Sequence, residues 1–361
     1  MAARAYTLII VLLWVTGCDN TPQTVGMSAM DSMKVEMNEW KDWAEGSDTG
    51  LWVNDSLHRV SVCEIARYGG DESMNPPFYK PEALDVCGDM IYIADGGTQK
   101  LVAINHNGEV VWETEGIGEG PGHFNSISQV DATTEIVAVS DIANARVDLF
   151  SIEGEWLNSV PVIHPYDIQI YRDTTVMVAK YALEGDNCFK IMNLSGDLLS
   201  SFGYWEEHGN GWSSNRDLHF AIKDSVAVLT SYYTDRIELY DINSEMLISS
   251  FTRELPFDYP RPENDNGFTT FSTVILDVYI GPERMINVVY RPFTPDKTVD
   301  LSSVEFGEMT VIDRFNYSGE YLDSYVIPDN ATQVVYENNQ LYSLNEFEST
   351  LTIYEVGIGS E

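Results

Sequence analysis

The segments INHNGEVV, FSIEGEWL, IMNLSGDLL and FNYSGEYL share one pattern: β-formers, a turn glycine (Gly108, Gly154, Gly196, Gly319) followed by an acidic residue, then a second apolar run. A fifth copy, YDINSEML, keeps the frame with Ser244 in the glycine's place. Glycine suits that place because a tight hairpin turn needs positive φ, and the carboxylate after it begins the solvent-facing side of the next strand. Upstream of each turn lies a strand of mainly apolar β-formers: MIYIAD ending at Asp95, IVAVSD at Asp141, VMVAKY at Tyr181, VAVLTS at Ser231 and MINVVY at Tyr290. A sixth, LYSLNE, ends at Glu346 and is followed by TLTIYEV. Before these sit further short strands and polar turns, as in ALDVCGD, ISQVDATTE, IQIYRDTT, AIKDS and QVVYENN. The unit is thus four antiparallel strands recurring every ~40 to 60 residues, the spacing of propeller blades rather than of helical solenoids.

Six units can be counted, and the last lacks an outer strand. The segment LHRVSVCEIARYGG from Leu57 supplies one alternating strand that has no blade of its own. The expectation is an all-β, six-bladed β-propeller over residues 56–361, with residues 57–68 completing the last blade. Such closure protects strand edges that an open array would present.

The first residues carry one positive charge, Arg4, an apolar run from Leu8 to Val15, and then Val15-Thr16-Gly17-Cys18. The run is too short for a membrane span, which needs about 20 apolar residues, so residues 1–17 read as a cleaved signal peptide. The tetrapeptide resembles the bacterial lipobox, which implies that Cys18 carries diacylglycerol on sulfur and an acyl chain such as palmitate on its amine. Two or three acyl chains make an anchor effectively stable, at about 0.8 kcal/mol per buried CH2. Residues 18–55 are polar and acid-rich and read as a tether, with Met33–Ala44 as a short amphipathic helix inside it. This makes the chain an exported protein of the cell envelope, with inner and outer membrane both open.

The formal charge is -37, from 57 acidic and 20 basic side chains. Loss of a leader whose only charge is Arg4 leaves 57 against 19, or -38. Nucleic acid and anionic lipid are poor partners for such a surface. Cys63, Cys87 and Cys188 remain, without CxxC spacing, so neither a disulfide framework nor a zinc site is supported. A Cys63–Cys87 bridge and buried free thiols both stay open.

One stretch, residues 116–156, resembles an NHL repeat: a Gly-Pro-Gly-x-Phe opening, Ser-Asp ending the second strand, Asn-x-Arg-Val in the third, and a Phe-x-x-x-Gly turn. The opening is also similar to the Gly-x-Gly-Pro-Gly-Glu-Phe motif of bacterial six-bladed propeller lipoproteins, with His123 here in place of Glu. The resemblance covers the first two blades and fades to strand spacing afterwards. It implies that Asp141, Asn144 and Arg146 are structural hydrogen-bonding residues.

In a propeller, the links between blades and the turns between second and third strands emerge on one face. The long connections here are all of that kind, and long loops on a rigid disc are where binding evolves. They carry Tyr204, Trp205, His208, Trp212, Phe257, Tyr259, Arg261, Arg291 and Phe293, rings and polar groups that suit a protein, a peptide or a glycan. Packing of those rings under their own loops is the competing expectation. Asp85, Gln129 and Gln169 take matching places on inner strands and read as polar lining of the central channel.

Six-bladed relatives include metal-dependent lactonases of the gluconolactonase type and an amidating lyase with histidine-bound zinc, which supply the alternative reading of a hydrolase or lyase. Calcium would suit Asp85, Gln129 and Asp167, but the acid and amide set of the lactonases has no equivalent strands here. His123, His164 and His219 fall at different heights, against a three-histidine zinc site. Gly-x-Ser-x-Gly, HExxH and phosphate-loop motifs are absent, so the chain offers no catalytic residue and implies no cofactor.

Overall fold

The computed structural model describes residues 59–60, 62–70, 76–172, 175–180, 187–204, 218–231, 235–252, 275–290 and 310–357. Within them the chain forms four-stranded antiparallel sheets arranged as a six-bladed propeller. The strands of each blade, inner to outer, are termed A to D. Blade 1 contains Pro81–Cys87, Met90–Asp95, Lys100–Asn105 and Val110–Glu113. Blade 2 contains Ile127–Ala132, Ile136–Asp141, Arg146–Ser151 and Trp156–Pro161. Blade 3 runs from Pro165–Tyr171 through Thr175–Lys180 and Phe189–Asn193 to Leu198–Phe202. Blade 4 runs from Leu218–Lys223 through Val226–Ser231 and Arg236–Asp241 to Met246–Thr252. Blade 5 contains Asp277–Ile280, Ile286–Tyr290, Thr310–Phe315 and Tyr321–Ile327, and blade 6 begins with Gln333–Glu337, Gln340–Asn345 and Thr350–Val356.

The outer strand of blade 6 comes from the other end of the chain. Val62–Gly69 pairs antiparallel with Thr350–Val356, from Val62 opposite Val356 to Gly69 opposite Thr350. This is the closure expected from residues 57–68. Unforeseen is the step before it: Arg59–Val60 lies parallel to Tyr321–Ile327 and adds a fifth strand to blade 5. The incoming chain therefore grips two blades in succession.

Strands B and C are buried almost throughout because each blade face packs on a neighbour. The core divides into one apolar cluster per blade interface. Tyr171, Phe189 and Phe202 meet Phe220 and Tyr240 between blades 3 and 4. Leu84, Ile93 and Ile104 meet Tyr342, Leu344 and Ile353 between blades 1 and 6, so the ring is closed by side-chain packing as well as by pairing.

The repeated turn between strands C and D adds a further lock. Gly108, Gly154, Gly196 and Gly319 all have φ between 79° and 91°. Asn105, Asn193 and Asn316 accept at Oδ1 from backbone N–H groups two and four residues on, which fixes the turn. A Cβ at Gly154 would stand 2.6 Å from the Trp112 ring of blade 1, and one at Gly319 would stand 2.5 Å from the Phe251 ring of blade 4. The turn glycine thus serves backbone geometry and lets the preceding blade's outer strand slide beneath it. Trp112 Nε1 donates to Ile152 O at 2.9 Å, and Tyr68 Oη to His106 O at 2.7 Å, in the same arrangement.

Neither Cys87 nor Cys188 is in a disulfide, so the Cys63–Cys87 bridge that the sequence leaves open is not formed. Strand pairing puts Cys87 opposite Met90 inside blade 1, whereas Cys63 faces Glu355 in blade 6. No helix among the described residues is long and apolar enough to cross a membrane.

Candidate functional site

Strand A of each blade borders the central channel, and its polar side chains do more than line it. Asp85 of blade 1 accepts the Ala132 N–H of blade 2 at 2.6 Å. Asp131 of blade 2 accepts the Ile170 N–H of blade 3 at 2.6 Å. Blade 3 reaches blade 4 twice: Asp167 accepts from Phe220 N at 2.9 Å, and Gln169 accepts from Ile222 N at 2.6 Å while donating to Phe220 O at 3.2 Å. Asp277 of blade 5 accepts from Val334 N of blade 6 at 3.3 Å, and Gln333 of blade 6 accepts from Leu84 N of blade 1 at 2.6 Å. Inner strands of neighbouring blades do not form a common ladder, so their N–H groups need these acceptors. On the corresponding face, strand A of blade 4 carries His219, Ala221 and Lys223.

The carboxyls carry an electrostatic cost. Withdrawal from water pushes Asp85 and Asp277 up to about 7, against backbone hydrogen bonds that favour the anion. Burial also raises Asp131 well above the ordinary carboxylate range, helped by the nearby charges of Asp85 and Asp167. Asp167 rises for the same reason, with Asp277 adding to it. His219, buried beside it with Nδ1 3.7 Å from Asp167 Oδ2, is pushed down to about 4 by desolvation. That contact is between a carboxyl and a neutral imidazole.

Two of the three expected channel residues, Asp85 and Gln169, are therefore inter-blade links. Gln129 lies half-buried on strand A of blade 2, its N–H donating to Ser140 Oγ at 2.9 Å. Asp131, Asp277 and Gln333 were missed. Alternation puts Asp131 on the face of Gln129, but the acceptor's target lies on a strand 39 residues away, which periodicity does not reveal. Among the described residues, no three His, Cys, Asp or Glu side chains group in a way that could hold a metal ion.

The strand bounds make the long connections links between blades or between second and third strands, as the sequence expects. Tyr204 is half exposed, and its carbonyl accepts from Tyr240 Oη at 3.3 Å. Trp205, Trp212, Tyr259, Arg261 and Arg291 lie outside the described residues, as do His208, Phe257, Phe293, Cys18 and the tether.

The link from blade 1 to blade 2 is a described part of that face, and there the Gly-Pro-Gly-x-Phe motif makes a short parallel pairing of Gly116–Ile117 with His123–Phe124. Arg146 holds it, donating to the carbonyls of Glu119, Gly120 and His123 at 2.7 to 2.8 Å. Asn144 Nδ2 donates to Gly118 O at 3.0 Å. Asp141, fully buried, accepts from the N–H groups of Asn125, Ser126 and Asn144. Asp95 does the same in blade 1 for Tyr79, Lys80 and Gly97. These are the structural roles that the motif implies. On the opposite face, the seam of blades 6 and 1 holds a cleft of about 620 Å³ beside Tyr68, Asp89, His106 and Gln340. His106 spans it, with Nε2 3.1 Å from Gly88 O and Nδ1 3.3 Å from Tyr342 Oη.

Two solved structures share this architecture. A member of the DUF4221 family from Bacteroides vulgatus is similar with a TM-score of 0.54 and 10% identity, over 83% of this chain and 98% of that one. An inferred exported protein from Bacteroides fragilis is similar with a TM-score of 0.54 and 12% identity, over 85% of this chain and 96% of that one. At such identities the likeness is one of fold. No family model matches the chain, and no curated protein matches it in sequence.

Proposed function

We propose that this chain is a propeller of the bacterial cell envelope, tethered through Cys18, that binds a protein, peptide or glycan through its long-loop face. The observation that carries the reading is the fate of the channel carboxyls. Asp85, Asp131, Asp167 and Asp277 each accept a backbone N–H of the next blade, a role that stiffens a disc. A lactonase-type centre would instead direct such oxygens at a shared ion. The NHL-like opening held by Arg146 fits the same view, since it makes the link between blades 1 and 2 a fixed platform at the margin of that face. Fold by itself does not choose between activities.

The test is capture from envelope extract with the full exported chain, comparing it with a Trp205→Ala, Trp212→Ala, Tyr259→Ala variant of unchanged thermal stability. The reading expects one or more specific envelope components to be captured by the parent and lost with the variant. Equal capture by both would mean that the face was wrongly chosen. For the anchor, Cys18→Ser is expected to release the protein from membranes, and mass spectrometry is expected to find acyl groups on Cys18 of the parent.

A further inference from the structure

The outer rim of blades 1 to 4 repeats one surface. After each C–D turn carboxylate, strand D opens with large apolar side chains: Val111 is 55% exposed, Leu157 49%, Leu199 57% and Leu247 47%, each with a second exposed apolar residue beside it. The acids are held at the turns: Asn105 Nδ2 donates to Glu109 at 2.8 Å, and Asn193 Nδ2 to Asp197 at 3.0 Å. Single exposed apolar residues need no explanation, but an adjoining exposed pair recurs at the same place on four successive outer strands, which is the kind of apolar exposure that marks an interaction site. It runs around the rim, away from the long-loop face.

Blade 5 displays what such an edge accepts. Its outer strand carries Arg59–Val60 as a parallel fifth strand, with Arg59 opposite Ser324 and Val60 opposite Tyr325. Val60 packs into the adjoining apolar cluster. Here Tyr321 and Leu322, the residues equivalent to the exposed pairs, are only half exposed. From this precedent and the rim's charge we infer that the outer strands of blades 1 to 4 dock an extended segment of a partner protein, rich in basic and apolar residues, by strand addition. Backbone pairing would supply affinity, while arginine or lysine would meet the turn carboxylates and apolar side chains the exposed pairs. Charge argues against the other occupants. A second copy brings a formal charge of -37, the segment 19–55 of this chain is acid-rich, and anionic lipid would be repelled.

The probe is a labelled decapeptide of alternating arginine and valine, titrated into the full chain at about 0.15 M salt, where long-range charge effects are screened. Saturable binding is expected. A Leu157→Ser, Leu199→Ser, Leu247→Ser variant, which alters no charge, is expected to weaken it at least about tenfold, as is replacing the peptide's valines with serine. Should that variant melt early, the single change Leu199→Ser, which also leaves the charge unaltered, provides the same readout. Unchanged binding by the variants, or equal binding of the arginine–serine peptide, overturns the inference because charge alone would then suffice. Two further results also overturn it: self-association abolished by the triple variant, which assigns the rim to a second copy, and peptide binding seen only after removal of residues 19–55, which assigns it to this chain's own segment.

Discussion

Gly154 and Gly88 both have positive φ, +89° and +61°, yet they differ in surroundings. A Cβ at Gly154 would strike the Trp112 ring, whereas nothing lies within 4 Å of one at Gly88. Gly88→Ala is therefore expected to cost only the left-handed backbone term, about 1 kcal/mol. Gly154→Ala adds overpacking of about 1–3 kcal/mol on top of that, a difference that denaturant unfolding resolves. The glycine was legible in the sequence as a turn residue; its second role was not, because the ring it admits sits on the preceding blade. Arg146 makes a similar case. Lysine keeps its charge but not the fork that reaches three carbonyls, so Arg146→Lys is expected to lose about 1–3 kcal/mol and to raise hydrogen exchange in residues 118–123. The channel carboxyls set the pH response. Asp85 and Asp277 sit near 7 when folded, against an ordinary value of 3.8, so the folded state holds more protons between these limits. Their contribution to stability is fully present below about pH 4 and is lost as pH rises through about 7. Asp85→Asn keeps an acceptor for Ala132 N without the buried charge. It is expected to stabilise the protein at pH 8 by about 1–3 kcal/mol and to flatten the melting-temperature profile between pH 4 and 7.

At the scale of elements, the molecule depends on the strand Val62–Gly69. Closure by residues 57–68 could be anticipated because five units were complete and one lacked an outer strand, while the first segment had an alternating strand to spare. Its extra pairing with blade 5 could not, since Arg59–Val60 is too short for periodicity and the parallel register is decided by where the chain arrives. A variant beginning after Gly69 leaves the Thr350–Val356 edge bare and removes Tyr68 from beneath Gly108. The expected outcome is a fall in melting temperature of about 10 °C or more, with early proteolysis in blade 6.

For the whole molecule, the blade count followed from spacing alone, because each repeat must bury its faces against neighbours and the turns recur at blade intervals. The channel's use was the part left open. Asp85 and Gln169 were recognisable as inward-facing, but only the ring brings Ala132 N and Ile222 N within reach and turns polar lining into fastening. On the function proposed above, this channel is a structural hub rather than a metal centre, and binding belongs to the surfaces around it. The most direct test is elemental analysis of the purified full chain after dialysis against calcium and zinc, alongside a variant with Asp85, Asp131, Asp167 and Asp277 all changed to Asn. The expected result is less than one bound divalent ion per chain in either protein and a variant that remains folded. One stoichiometric ion in the parent, lost in the variant along with a metal-dependent rise in melting temperature, would contradict it.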